Sequence, residues 1–161
     1  LIKIFYILLL LLMNSELQRG NCPPFWYSFR GRCYKYSSTV CHRGTNLVSI
    51  YSLDEENFVK SLIMNFDPAQ GYSWIGLSDI HEEGSWMWSD GCPVKFVFWS
   101  AGQPDNYKEL EHCGHVNYET ALKWNDIDCS NLFSSVSGTL KNSSCNSFNF
   151  HFNTISTTSV L

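Results

Sequence analysis

The sequence predicts a single α+β domain, and three observations carry that prediction. A helix-capping pattern at Ser52 is followed by apolar residues at helical spacing. Several short aromatic runs, separated by Gly and Asp turns, are typical of small antiparallel strands. Seven cysteines indicate disulfide bonds in a secreted chain. A length of 161 residues suits one domain with a core of its own.

The N-terminal end has the pattern of a secretory signal. Lys3 precedes an apolar run over residues 4–13, which is shorter than the roughly 20 residues that cross a membrane. A buried helix or strand is the alternative interpretation of this run. We expect residues 1–20 to be a signal peptide that lacks its first residues. The mature chain is then secreted and extracellular, with no membrane span.

Composition excludes one class of partner. The net charge is −4 without a basic block, so we expect no nucleic acid to bind. Aromatic residues make up 16% of the chain and charged residues 16%. This mixture favours a compact domain with an aromatic core over a disordered chain.

The first predicted element is a hairpin. Aromatic segments at 22–27 and 31–36 flank a turn at Arg30-Gly31. A bond between Cys22 and Cys33 could close this hairpin. Residues 46–50 then form a short strand or an entry segment.

The predicted helix starts with a capping box. Ser52 is the expected N-cap and Glu55 the expected third helical residue. The helix ends before Asp67-Pro68. Its apolar stripe is assigned to the core and comprises Leu53, Phe58, Val59, Leu62, Ile63 and Phe66.

Further short strands are predicted at 74–77, 85–88 and 95–99, with a last hairpin from 115–118 and 122–124. After Phe133 the chain becomes rich in Ser, Thr and Asn, and we expect it to be poorly ordered. Asn142 matches a glycosylation acceptor, although such triplets arise by chance in this composition.

A cluster of oxygen-bearing side chains between Trp99 and Cys129 carries the main functional signal: Gln103, Asp105, Glu111, Asn125 and Asp126. Neutral amides mixed with carboxylates suit Ca²⁺, which takes six to eight oxygen ligands, whereas Zn²⁺ prefers Cys and His. Pro104 lies between two of these side chains, and an X-Pro bond can be cis at modest cost.

The ordered set of motifs resembles the C-type lectin domain, and most of all the secreted galactose-type lectins of fish. The set contains a Cys-flanked hairpin, Trp-Ile-Gly-Leu at 74–77, Gln-Pro-Asp at 103–105, Glu-His-Cys at 111–113 and Trp-Asn-Asp-Ile at 124–127. It spans 22–133 in order. A lone Trp-Asn-Asp would be weak evidence, but the ordered set is specific.

The resemblance implies two small antiparallel sheets with flanking helices and a long calcium-binding loop region. It also implies that Ca²⁺ is held by the five residues of the cluster named above, with two neighbouring sugar hydroxyls completing the coordination. Cys113 and Cys129 are implied to pair. By the chain-entropy model a bridge of that span contributes about 3 kcal/mol, which preorganises the site, stabilises the domain, or does both.

The same resemblance implies a preference for galactose. Gln103 can both accept and donate, while Asp105 can only accept. This order resembles galactose binders, and the reverse order Glu-Pro-Asn resembles mannose binders. Tyr107 stands where galactose-type members carry a ring that stacks on the sugar. The alternative is that Tyr107 is a half-packed loop residue.

Some relatives have a second calcium site, whose matching residues here are Asp79, Glu83, Asn106, Glu111 and His112. Asn106 and His112 replace carboxylates, so we expect this site to be weak or empty. Asp79 and Glu83 would then be ordinary solvated acids.

The sequence departs from the family twice. Only residues 37–40 stand where the family has a helix, which is about one turn. Ser137 stands where a cysteine usually pairs with the counterpart of Cys41. Cys145 could substitute if the tail folds back, and Cys92 is interpreted as a free thiol or an intermolecular bridge. The domain is therefore assigned to 21–137 and the tail to 138–161.

No enzyme is predicted, because no nucleophile, base and orienting group occur at a recognisable spacing. His112 and His115 are interpreted as surface or loop residues, and the pairs Glu55-Glu56 and Glu82-Glu83 as solvated or capping residues. Expected partners are galactose-type glycans, including microbial ones, with a homo-oligomer supplying avidity. The alternatives are a fish-type antifreeze or other non-sugar binding module, or a non-functional splice product.

Overall fold

The structure, a computed structural model, describes residues 17–38 and 47–139. The described part contains one α-helix, α1 (Leu53–Phe66), and seven strands. These are β1 (Tyr27–Phe29), β2 (Arg32–Ser37), β3 (Ser73–Ser78), β4 (Met87–Trp88), β5 (Cys113–Tyr118), β6 (Lys123–Ile127) and β7 (Ser134–Gly138). The predicted α+β class is confirmed.

Several expectations lie outside the described residues. They concern most of the signal segment, the short stretch at 39–40, Cys41, Cys145, Asn142 and the tail from residue 140. Gln18, which belongs to the expected signal segment, pairs with Ser28 of β1. No helix in the described ranges is long and apolar enough to cross a membrane.

The strands form one mixed sheet in the order β1-β2-β7-β3-β5-β6, with β4 paired to β3. The resemblance implied two separate antiparallel sheets. They are joined because β7 runs parallel to β3, with Ser73 opposite Ser134 and Trp74 opposite Ser135. All other strand pairs are antiparallel.

The expectation of disorder after Phe133 is wrong for the first part of that segment, since β7 is a central strand. Serine and glycine have a low intrinsic preference for strands, but the close packing around β7 leaves room only for small side chains. A Cβ at Gly138 would lie 3.0 Å from Val48 Cγ2. Val136 is fully buried, and its carbonyl accepts a hydrogen bond from the Val48 amide at 2.8 Å.

The predicted N-terminal hairpin is confirmed. Arg30 and Gly31, with φ of 46° and 78°, both occupy the left-handed region that tight hairpin turns require. The bond between Cys22 and Cys33 closes the hairpin as expected.

The helix begins and ends as predicted. The Ser52 hydroxyl accepts a hydrogen bond from the Glu55 amide at 3.3 Å, but Glu55 itself accepts from the Tyr51 amide rather than from that of Ser52. The middle of the stripe is buried. Leu53 and Phe66, which were assigned to the core, are 49% and 47% exposed at the two ends.

The predicted strand at 95–99 is wrong. The backbone of this segment meets β6 at one point, where the Trp124 amide donates to the Phe98 carbonyl at 2.9 Å and the Ser100 amide donates to the Trp124 carbonyl at 2.8 Å. Trp99 forms a single parallel bridge with Trp124. Phe96 and Trp99 pack edge-on against the Trp124 ring, with centroids 5.7 and 5.8 Å away. The strand predicted at 85–88 is also shorter, since β4 contains only Met87 and Trp88.

The core lies between α1 and the sheet, and buried polar contacts tie the two layers together. The Trp124 indole donates to Glu56 Oε2 at 2.9 Å, and Lys60 Nζ lies 3.5 Å from Glu56 Oε1. Both Glu55 and Glu56 are buried, so the solvated interpretation is wrong for both, whereas Glu55 fits the capping interpretation through its bond from the Tyr51 amide. Burial raises the pKa of Glu56, against the smaller opposing effects of Trp124 and Lys60.

Cys92 is buried and disulfide-bonded. The interpretation of this residue as a free thiol is therefore wrong.

Candidate functional site

The candidate site lies where β6 meets the loop formed by residues 103–111. Asp126 of β6 is fully buried, and its carboxylate accepts hydrogen bonds from two loop amides. Asp105 N donates to Oδ1 at 3.2 Å, and Asn106 N donates to Oδ2 at 2.8 Å. Asp126 therefore holds the loop against the sheet through bonds that its negative charge strengthens.

Two further hydrogen bonds close the other half of the loop. Tyr107 N donates to Glu111 Oε2 at 3.1 Å, and Glu111 N donates to Asn106 Oδ1 at 3.1 Å. These bonds accompany an unusual backbone, because Asn106, Lys108 and Glu109 have φ of 43°, 60° and 60°. Left-handed non-glycine residues cost on the order of 1 kcal/mol each, so the loop depends on these side-chain contacts.

The loop brings three predicted carboxylates together. Oxygen atoms of Asp105, Glu111 and Asp126 all lie within 4.8 Å of one another. The pKa of Glu111 is raised, first by burial and then by the charges of Asp126 and Asp105, while the Tyr107 amide opposes the shift. Three carboxylates this close together repel one another, which is costly unless a bound cation offsets the repulsion.

Two amide oxygens complete the predicted set. Gln103 Oε1 and Asn125 Oδ1 are buried, and neither has a hydrogen-bond partner within the described part of the chain. Buried polar atoms rarely stay unpaired, and both belong to residues predicted to ligate calcium. The Gln103–Pro104 bond is cis, an isomer that the sequence allowed.

The residues present fit Ca²⁺ better than Zn²⁺. The three carboxylates and the two amide oxygens are hard donors of the kind calcium prefers. Cys113 and Cys129, which flank the hairpin, are bonded to each other as the resemblance implied. Their sulfurs are therefore not available as thiolate ligands.

Tyr107 is 62% exposed at the outer edge of this loop. The interpretation of Tyr107 as a half-packed residue is therefore wrong. Lys108 Nζ lies 5.1 Å from the centre of its ring.

One of the two histidines differs from expectation. His115 is fully buried, so its interpretation as a surface or loop residue is wrong. Its Nε2 lies 3.2 Å from Asn125 Nδ2, and its Nδ1 lies 3.1 Å from the Val116 carbonyl oxygen. Burial lowers the pKa of His115 to about 4. No sequence motif marks His115, and its contact with Asn125 follows from the register of β5 against β6.

A second cluster contains Asp79, Glu83 and His112. Asp79 is buried; its Oδ2 accepts from the Gly84 amide at 2.8 Å, and its Oδ1 lies 3.1 Å from His112 Nδ1. The expectation of a solvated Asp79 is therefore wrong, whereas Glu83 is exposed, 3.5 Å from the same ring nitrogen. Asn106 and Glu111, also matched to this second site, bond within the loop instead.

Comparison with known proteins identifies the family. The model of the "Lectin C-type domain" family matches residues 30–138. The chain belongs to the C-type lectin domain family. The galactose-specific lectin nattectin of Thalassophryne nattereri is 34% identical to it over 120 residues, which cover 68% of this chain and 75% of nattectin.

Solved C-type lectin domains share the fold. The C-type lectin CEL-I from Cucumaria echinata superimposes with a TM-score of 0.69 at 28% identity, over 76% of this chain and 100% of that one. The herring type II antifreeze protein does so with a TM-score of 0.67 at 34% identity, over 74% and 100%. Both lectins and antifreeze proteins are thus similar to this C-type lectin domain.

Proposed function

We propose that this protein is a secreted lectin that binds galactose-type sugars in a calcium-dependent manner. One observation carries the proposal. Two buried amide oxygens, of Gln103 and Asn125, have no hydrogen-bond partner among the described residues, and they accompany three carboxylates whose oxygens lie within 4.8 Å of one another. Sequence motifs and fold are common to sugar-binding and other members, and this donor set supports calcium binding at the site.

The residues proposed to hold the ion are Gln103, Asp105, Glu111, Asn125 and Asp126. When bound, calcium would supply a positive centre for two neighbouring sugar hydroxyls. The chain's own part is to orient donors and acceptors around those hydroxyls. Gln103 offers an NH₂ donor on one side of Pro104, and Asp105 offers only acceptors on the other. This asymmetry supports galactose over mannose.

Tyr107 supports the same choice. Its ring is exposed beside Asn106, which bonds to Asp126 through its backbone amide. Galactose has an apolar C–H face, and we propose that this face stacks on the ring. Nattectin, which is named as galactose-specific, supports this preference by similarity.

We further propose recognition of glycans on microbial surfaces. One shallow site gives weak affinity, so several sites on a homo-oligomer would be needed for the lectin to stay bound to a cell surface.

Column chromatography tests the proposal. The full chain should be retained on immobilised galactose in calcium and released by EDTA. Exchanging the motif, Gln103→Glu with Asp105→Asn, should move retention from galactose toward mannose. Glu109→Gln is the control, since Glu109 is exposed nearby and lies outside the proposed ligand set. Retention of the exchanged variant on galactose alone would refute the role of the motif.

A second candidate is ice binding, favoured by the similarity to the herring antifreeze protein. Thermal hysteresis without sugar retention would support it. Sugar retention released by EDTA, without hysteresis, would exclude it.

A further inference from the structure

His115 stands directly opposite Asn125 in the pairing of β5 with β6. Both side chains are buried. Asn125 is one of the proposed calcium ligands, whereas His115 contributes no oxygen and was not expected at the site. A buried imidazole thus contacts a side chain that is proposed to bind the metal.

The hydrogen bonds determine which ring nitrogen carries the proton. His115 Nδ1 lies 3.1 Å from the carbonyl oxygen of Val116, which can only accept. Nδ1 therefore carries the hydrogen and donates it. In a neutral ring Nε2 is then an acceptor, and it accepts from Asn125 Nδ2 at 3.2 Å.

The same amide nitrogen has a second acceptor. Asn125 Nδ2 also donates to the backbone carbonyl of Asp126. Turning the amide around would place Asn125 Oδ1 against two acceptors in a buried environment, which is costly. Two independent contacts thus fix the amide with its nitrogen toward His115 and its oxygen on the opposite edge, where Oδ1 has no partner among the described residues.

The ring of His115 is itself held by aromatic neighbours. Ring centroids of Tyr72 and Phe133 lie 4.6 and 5.6 Å from that of His115, and those of Tyr118 and Trp74 lie 6.0 and 6.3 Å away. The imidazole is therefore a fixed acceptor, and the amide of Asn125 adjusts to it.

We propose that His115 is a positioning residue that keeps Asn125 Oδ1 free for calcium by accepting a hydrogen bond from Asn125 Nδ2. This inference rests on the proposed calcium-dependent function. Removing the acceptor leaves the amide nitrogen with one partner, so the side chain can turn its NH₂ toward the ion. Groups that orient metal ligands typically change metal affinity by about 10- to 100-fold when they are removed.

The test is calcium affinity of the full chain, measured by isothermal titration with Ca²⁺ alone. His115→Leu removes the acceptor, and His115→Gln retains a side-chain oxygen that can accept. We expect His115→Leu to bind calcium about 10- to 100-fold more weakly and His115→Gln to recover most of that loss. Phe133→Leu is the control for packing, since it loosens the same aromatic neighbourhood without removing the hydrogen bond.

Equal calcium affinity of His115→Leu and the unmodified chain would overturn the inference and leave the proposed function intact. Equal losses in His115→Leu and Phe133→Leu would also overturn it, because packing alone would then explain the effect. No calcium binding by the unmodified chain would instead overturn the proposed function.

A second measurement does not depend on whether the variants fold. The ¹⁵N shifts of the His115 ring in the unmodified protein, in EDTA, should report hydrogen on Nδ1 and none on Nε2. A hydrogen on Nε2 would overturn the inference.

Discussion

Replacing Glu111 with Gln should have opposite effects on the protein with and without calcium. Oxygens of Glu111, Asp105 and Asp126 lie within 4.8 Å of one another. At that separation two like charges repel by about 1 kcal/mol in water and about 3 kcal/mol at an effective dielectric constant near 20. Because Glu111 is partly exposed, the lower figure applies to each of its two pairs.

The substitution also has a cost. The side-chain oxygen of the introduced glutamine can still accept from the Tyr107 amide, as Glu111 Oε2 does at 3.1 Å. A neutral acceptor weakens that bond by roughly 1 kcal/mol. The net expectation is that Glu111→Gln raises the free energy of unfolding in EDTA by about 1 kcal/mol. In calcium the order should reverse, because the variant has lost a charged ligand.

Denaturation in guanidinium chloride, in EDTA and in saturating calcium, measures both effects. Glu109→Gln is the matched control, since Glu109 is exposed nearby and lies outside the carboxylate cluster. Lower stability of Glu111→Gln than of the unmodified chain in EDTA would refute the repulsion argument. An unchanged calcium-induced gain in stability would refute the assignment of Glu111 as a ligand.

Three further predictions concern other contacts. The pKa of Glu56 is raised in the folded chain. Glu56 therefore contributes fully to the free energy of unfolding below pH 4.5, its ordinary pKa, and this contribution is lost as pH rises through the pKa of the folded state. Glu56→Gln, which can still accept from Trp124, should therefore flatten the fall in unfolding free energy toward neutral pH; an unchanged pH profile by denaturant titration would contradict this. Replacing Cys113 and Cys129 together by Ser should lower the unfolding free energy by about 3 kcal/mol, checked by denaturation in EDTA, and an unchanged midpoint would be contrary evidence. Tyr107→Ala should weaken galactose binding about fivefold, or ~1 kcal/mol, without changing calcium affinity. Titration calorimetry with galactose and with calcium checks this, and weaker binding of both ligands would indicate a structural role for Tyr107 instead.

The sequence predicted best those elements whose local pattern and tertiary surroundings agree. The Arg30-Gly31 turn and the Ser52 cap depend on a few neighbouring residues, so both could be placed in advance. The oxygen-bearing set between Gln103 and Asp126 was found from residue chemistry and spacing, and the loop does bring the three carboxylates together.

The missed features depend on partners distant in sequence. Ser134–Gly138 has little intrinsic preference for a strand and forms one because β2 and β3 pair with it on either side. Glu56 is buried by Trp124, which is 68 positions away. His115 has no recognisable local signal, and its role follows only from the strand register that sets it against Asn125. Such contacts follow from topology, which local patterns do not specify.

Calcium titration of the unmodified full chain, with and without saturating galactose, tests the central claim most directly. Because coupling between two ligands is reciprocal, a sugar that shares its site with the ion must raise calcium affinity. We predict tighter calcium binding in galactose than in an equal concentration of mannose. Calcium binding that is absent, or that is equal in galactose, mannose and buffer, would contradict a calcium-dependent galactose lectin.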